Sequence, residues 1–238
     1  MTFSWKRAYA IFEKDLKDLL KNTYVLSTVL MPLLVAFIFS RSGEIPLALH
    51  YMAINLALTA VAAFVQCAII AEEKEKYTLR GLMLSPATTV EIISGKSLVS
   101  FVLAAVSIIF CAKVTGYVPE NIFLVGAAIV LSIGFYLALG TLLGLVSKSV
   151  MQPSVIILPF IFLFSFGTML QLLIAEKPYL RFLEYLPNIQ LEYLAKAVEE
   201  GSGLASADVA IPLAVIAGWG LVTWILVAFI YKKRMTDD

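Results

Sequence analysis

Two hydrophobic patterns divide this chain. In FSWKRAYAIFEKDLKDLLKN, Trp5, Tyr9, Phe12, Leu16 and Leu19 recur at spacings of three and four, with Lys6, Arg7, Lys14, Lys17 and Lys21 on other faces. Apolar positions at that period share one side of a helix, so residues 1–22 read as an amphipathic helix lying in a membrane surface. Beyond Asn22 the period vanishes. Apolar residues then run together for about 20 at a time, the length that crosses a hydrocarbon core. Spans are predicted at Thr23–Ser40, Tyr51–Ala71, Leu98–Tyr117, Ile122–Val146, Pro153–Ile174 and Val209–Tyr231. In the fourth, Gly140 and Gly144 stand one turn apart and allow another helix to approach closely. Pro32, Pro153 and Pro159 mark kinks or helix starts. The expected fold is therefore all-α and integral to a membrane: six spans in a single domain covering residues 1–238.

Two polar interruptions are longer than a turn between spans requires. Residues 175–208 separate the fifth and sixth spans. They carry Tyr179, Phe182, Leu183 and Leu186 on one helical period, then Pro187, then Leu191, Leu194 and Val198 on a second. Two short helices dipping into the interface fit that pattern, and a folded extracellular domain does not fit the length. The other interruption, Glu72 to Ser97, reads EEKEKYTLRGLMLSPATTVEIISGKS and is strongly charged. Its first part extends the second span as a charged helix ending in an apolar cluster at Leu79, Leu82, Met83 and Leu84. Ser85 and Pro86 break it, and Thr88 with Glu91 forms a capping box that starts the next helix. An apolar tip ringed by Glu72, Glu73, Glu75 and Arg80 is suited to a cleft in another protein.

Composition settles the class: 61% of the 238 residues are hydrophobic and 15% charged, against about 45–50% and about 25% in soluble domains. The net charge of +1 recruits no nucleic acid. Its distribution matters more. Lys6, Arg7, Lys14, Lys17, Lys21, Lys74, Lys76, Arg80, Lys96, Lys148, Lys232, Lys233 and Arg234 fall on one side of the predicted topology. Only Arg41, Lys113, Lys177, Arg181 and Lys196 fall on the other. The rule that basic residues stay inside puts both termini and the 72–97 insert in the cytoplasm. Lys113, near the outer end of its span, reads as a snorkelling residue.

Several chemistries fail on the residues. Gly95-Lys96-Ser97 resembles the end of a phosphate-binding loop, but Val90 occupies the first glycine position and no strand precedes it. Glu72-Glu73 superficially suggests an intramembrane metalloprotease, yet His50 is the only histidine. Cys67 and Cys111 lie in apolar runs and read as small buried thiols. No enzyme, metal or cofactor is expected in this chain. Asn55, Thr59 and Gln66 share one face of the second span, and Phe160, Phe164, Thr168 and Gln171 form a comparable stripe on the fifth. Either the two stripes line a path for an amphipathic cargo, or their polar groups hydrogen-bond neighbouring helices.

The acidic cluster followed by Thr78-Leu79, Leu82-Met83, Ser85-Pro86, Glu91-Ile92 and Gly95-Lys96 resembles the ABC-2 family of ATP-binding-cassette transporter permeases. The amphipathic leader, six spans and short outer helices agree with it over nearly the whole chain; Tyr77 departs from the glycine common in that family. The resemblance implies a bacterial cell-membrane exporter subunit that pairs with a second permease copy or paralogue, its second and fifth helices lining the central path. It further implies that two ATPase subunits, which hold the ATP and Mg, dock at Glu72, Glu73, Glu75, Leu79, Arg80, Leu82 and Met83. The cargo would be a drug, an antimicrobial peptide or a lipid-like compound. A membrane scaffold or immunity protein without transport, or export of a polysaccharide or ion, are the alternatives.

Overall fold

The computed structural model describes residues 3–41, 43–76, 88–149 and 151–237, and their side chains except at 89, 168 and 232–237. Those residues form helices and connecting turns, with no strand among them. We number the helices α1 (Trp5–Lys21), α2 (Thr23–Phe39), α3 (Leu47–Glu75), α4 (Thr89–Thr115), α5 (Ile122–Val146), α6 (Gln152–Ser165), α7 (Gly167–Glu176), α8 (Pro187–Glu199) and α9 (Ala207–Asp237). Four of them, α3, α4, α5 and α9, are long and apolar enough to cross a membrane. Two bent pairs, α1 with α2 and α6 with α7, raise the number to six if each is one span.

The bundle is built around α3. Its apolar stretch is wholly buried, whereas that of α9 is mostly exposed along the outside. At 29 residues α3 is about 44 Å long against a hydrocarbon thickness of about 30 Å, so its charged end projects well beyond the apolar layer. A π-type turn at Leu58–Ala63 interrupts it midway. On α5, Gly140 and Gly144 face this helix. A Cβ at Gly140 would lie 2.2 Å from the Ala63 carbonyl oxygen, and one at Gly144 2.8 Å from that of Cys67. The missing side chains thus set the α3–α5 separation, as their one-turn spacing predicts. Two polar groups find partners across helices: the Trp224 indole donates to the Gly134 carbonyl at 3.0 Å, and the Tyr51 and Tyr117 hydroxyls meet at 3.1 Å. Cys67 and Cys111 are buried free thiols.

α1 turns through 85° into α2, the geometry of a helix lying along a surface before the chain dives inward. The side it buries differs from the one its large residues suggest. Trp5 and Tyr9 are exposed, while Ala8, Ile11, Asp15 and Leu19 are buried, with Phe12 and Leu16 partly so. The reason is close packing on α4: a Cβ at Gly95 would stand 2.6 Å from the Ala8 carbonyl oxygen. Small residues make that contact, and the bulky ones are left facing outward, where a lipid surface would take them.

The fifth predicted span, Pro153–Ile174, is not continuous. α6 ends at Ser165 and α7 leaves at 66° to it. Beyond, residues Pro178–Tyr185 form a 3-10 helix with Tyr179 and Phe182 exposed, and α8 buries Leu191, Leu194 and Val198.

Candidate functional site

Several charged residues converge where the insert leaves the bundle. α3 stays helical to Glu75, and α4 begins with the expected capping box. The Thr88 hydroxyl accepts from the Glu91 N–H at 3.3 Å, and the Glu91 carboxylate accepts from the Thr88 N–H at 2.7 Å. The same carboxylate takes a second set of donors from α1. The Arg7 guanidinium grips it twice, at 3.0 and 2.7 Å, and the Ser4 N–H completes the set. Glu91 is fully buried as a result. Such bidentate pairing fixes geometry as well as charge.

A second cluster lies one to two turns along. Lys96 of α4 has no exposed surface. Its ammonium donates to Asp15 of α1 at 3.0 Å and pairs with Glu73 of α3 at 3.0 Å. Lys14 closes the group, 2.5 Å from Glu73 and 3.3 Å from Asp15. Two cations and two carboxylates balance. Burial opposes the charge on Lys14, but Glu73 and Asp15 outweigh it and raise its pKa above the ordinary value. Next to this, Lys74 donates to the Leu145 and Ser147 carbonyls at 2.9 and 2.7 Å, meeting the open end of α5 with a cation. A cavity of about 150 Å³ between α1, α2 and α3 is lined by Lys14, Asp18, Glu72 and Lys76, among others.

The docking residues read from the sequence are distributed unevenly. Glu73 is 4% exposed and turned inward to the lysines, so it binds within this chain rather than standing on the surface. The burial follows from Lys96, which its own helix presses into the same seam. Glu75 is exposed, and Glu72 is half-buried beside Lys76. Leu79, Arg80, Leu82 and Met83 lie outside the described residues.

The proposed path residues are likewise divided. Asn55, Thr59 and Gln66 are buried inside the single chain, not on a face open to another copy. Gln66 donates to Ser97 and Thr141 at 3.2 and 3.0 Å and accepts from Ser100 at 3.0 Å, joining α3, α4 and α5. Thr59 donates back to the Asn55 carbonyl. For Gln66, hydrogen bonding between helices is what the geometry gives, whereas Thr59 bonds within its own helix and the Asn55 amide oxygen is buried without a partner among the described residues. Phe164 is buried against Phe135 and Tyr136, Phe160 is partly exposed, and Gln171 is half-buried on α7; the Thr168 side chain lies outside those described. An apolar groove of about 310 Å³ instead runs between α2, α3 and α6, with Tyr24, Met31, Met52, Phe64 and Phe162 on its walls.

Sequence reasoning did not find the Asp15–Lys96 or Arg7–Glu91 pairs. One signal was present: Asp15 sits four residues after Ile11 and four before Leu19, a carboxylate in the middle of an apolar row.

A helical bundle with four to six helices long and apolar enough to cross a membrane defines a multi-pass membrane protein. Residues 45–229 match the family described as ABC-2 family transporter protein, and the chain belongs to that family. No curated protein matches it.

Proposed function

We propose that this chain is the permease subunit of an ABC exporter that moves a hydrophobic or amphipathic cargo out of the cell. ATP is hydrolysed in separate subunits, two of which dock on the cytoplasmic 72–97 segments of a permease pair. The observation that carries the reading is the double attachment of that segment. Its incoming end at Glu73, through Lys14, and its outgoing end at Glu91 and Lys96, through Arg7 and Asp15, are both fastened to α1. A force applied to the insert therefore reaches α1, α3 and α4 as one body instead of being lost in a loose hairpin. Rigid-body movement of this kind is how a packed bundle converts a local pull into a change of opening. For the cargo, the groove between α2, α3 and α6 offers an apolar wall facing outward, braced from behind by the Gln66 hydrogen bonds. Drugs, antimicrobial peptides and lipid-like compounds fit a wall of that chemistry better than a polysaccharide does.

The test is Leu82→Asp. A carboxylate at the centre of an apolar docking tip has no partner there, and truncations at such centres commonly cost ~2 kcal/mol or more. The substitution should abolish co-purification of the ATPase with the permease and with it cargo-stimulated hydrolysis. Full retention of both would remove the insert as the coupling element.

A further inference from the structure

Two openings lie along one seam between α2 and α3. The charged cavity at the base of the insert is bordered there by Val25 of α2 and by Ala68 and Glu72 of α3. The apolar groove begins one turn away, at Tyr24 and Phe64, whose rings meet edge-on with centroids 6.2 Å apart. Phe64, Ala68 and Glu72 recur every four residues and so share one side of α3 over about 12 Å. From Tyr24 the groove continues past Thr28, Met31 and Val35, a further run of about 16 Å. Spread over that length, about 310 Å³ is a slot for one extended hydrocarbon chain. An α-helix about 10 Å across would take about 1,300 Å³ over the same distance.

The charged cavity, about 150 Å³, has both signs on its wall: Asp15, Asp18, Glu72 and Glu73 against Lys14 and Lys76. Lys96 stands behind and binds Asp15 and Glu73, so those two carboxylates are satisfied within the chain. Glu72 holds Lys76 at 2.5 Å. Asp18 is held only loosely: Lys14 is 3.8 Å away, and the Asp18 side chain is 46% exposed. Even with Lys96 counted, the site keeps one carboxylate more than it has lysines. A headgroup with a net negative charge would add to that excess. One that carries an ammonium next to a phosphate supplies a cation to Asp18 and an anion to Lys76. A primary ammonium also donates hydrogen bonds to a carboxylate, which a trimethylammonium cannot do.

We propose that the α2–α3 seam binds one phospholipid with an ethanolamine headgroup, its ammonium at Asp18, its phosphate beside Lys76 and one acyl chain along the apolar groove. The charged cavity selects the headgroup, and the groove supplies the affinity for a chain. This deepens the reading of the groove as a wall for lipid-like compounds and rests on it for the chain alone. Binding needs no ATPase, so its failure would leave the Leu82→Asp test standing, and failure of that test would leave lipid binding standing.

The purified chain in detergent is melted with dioleoyl phosphatidylethanolamine, phosphatidylcholine or phosphatidylglycerol at equal mole fraction, and with glycerophosphoethanolamine, which has the headgroup but no chains. With phosphatidylethanolamine at about ten times its dissociation constant, the melting temperature should rise by about 3–6 °C. The other two lipids should give less than half of that rise, and the chainless headgroup none. Asp18→Asn should bring the rise with phosphatidylethanolamine down to that with phosphatidylcholine. Thr28→Trp, which fills the groove, should cut it to less than half. Equal rises with all three lipids, a larger one with phosphatidylglycerol, or an ethanolamine preference that survives in Asp18→Asn overturns the proposal. So does a full rise with the chainless headgroup or in Thr28→Trp. If Thr28→Trp does not fold, Asp18→Asn, at an exposed position, decides with the chainless headgroup.

Discussion

Lys96 ties three helices, α1, α3 and α4, through a single charge. Its ammonium is fully enclosed between Asp15 and Glu73, and removing one member of such a group strands the others. Lys96→Met should therefore cost about 3–5 kcal/mol, read as a fall in melting temperature in detergent. Adding Asp15→Asn should recover part of the loss, because one stranded carboxylate is then neutral. Lys14 touches the same two carboxylates but is half in water. Screening reduces its share, and Lys14→Met should cost under about 1 kcal/mol. A near-equal loss at the two lysines would mean that the cluster is wetter than its geometry indicates. None of this was legible in the sequence beyond the misplaced Asp15, since the partners of Lys96 are 81 and 23 positions away and periodicity sees only neighbours. The Thr88–Glu91 capping box was legible because it is local. That Glu91 also holds Arg7, 84 positions away, was not.

At the scale of helices, the glycines of α5 provide an internal comparison. Gly140 and Gly144 are pressed on α3, whereas a Cβ at Gly126 or Gly134 would meet nothing within 4 Å. Gly144→Ala should destabilise by about 1–3 kcal/mol through overpacking. Gly126→Ala should be neutral or stabilise by up to about 1 kcal/mol, as alanine favours helix. Melting the two variants side by side checks this, and equal losses would place both glycines in the same environment. The spans themselves could be read from length and hydropathy, which need no tertiary information. The break in the fifth could not. Pro159 drew attention in the sequence, but the chain bends after Ser165, where the side chains of α8 come in from outside the helix. Likewise the apolar period of α1 showed that a helix forms, but not which face packs. Ala8 and Gly95 decide that together, and either alone is unremarkable in composition.

For the molecule as a whole, the topology expected from the charge distribution, with both termini and the 72–97 segment inside and residues 175–208 outside, can be tested directly. An impermeant thiol reagent on intact cells should label Ser202→Cys and leave Lys76→Cys unmarked; the native Cys67 and Cys111 are buried and silent. The reverse pattern would invert the topology and move the insert away from any ATPase. If the insert is inside, the fastening of α1 would set the direction in which the proposed assembly could travel. α1 lies nearly at right angles to α2 and turns Trp5 and Tyr9 outward, the rings that settle at the level of lipid headgroups. Pulling the insert straight down would drag those rings out of the headgroups into water, while sliding it sideways leaves them at constant depth. α1 thus acts as an outrigger. It would resist plunging and permit gliding, so a partner that gripped the insert, as proposed, would steer the bundle across the plane of the membrane, with the stiffness of the surrounding lipid part of the resistance it worked against.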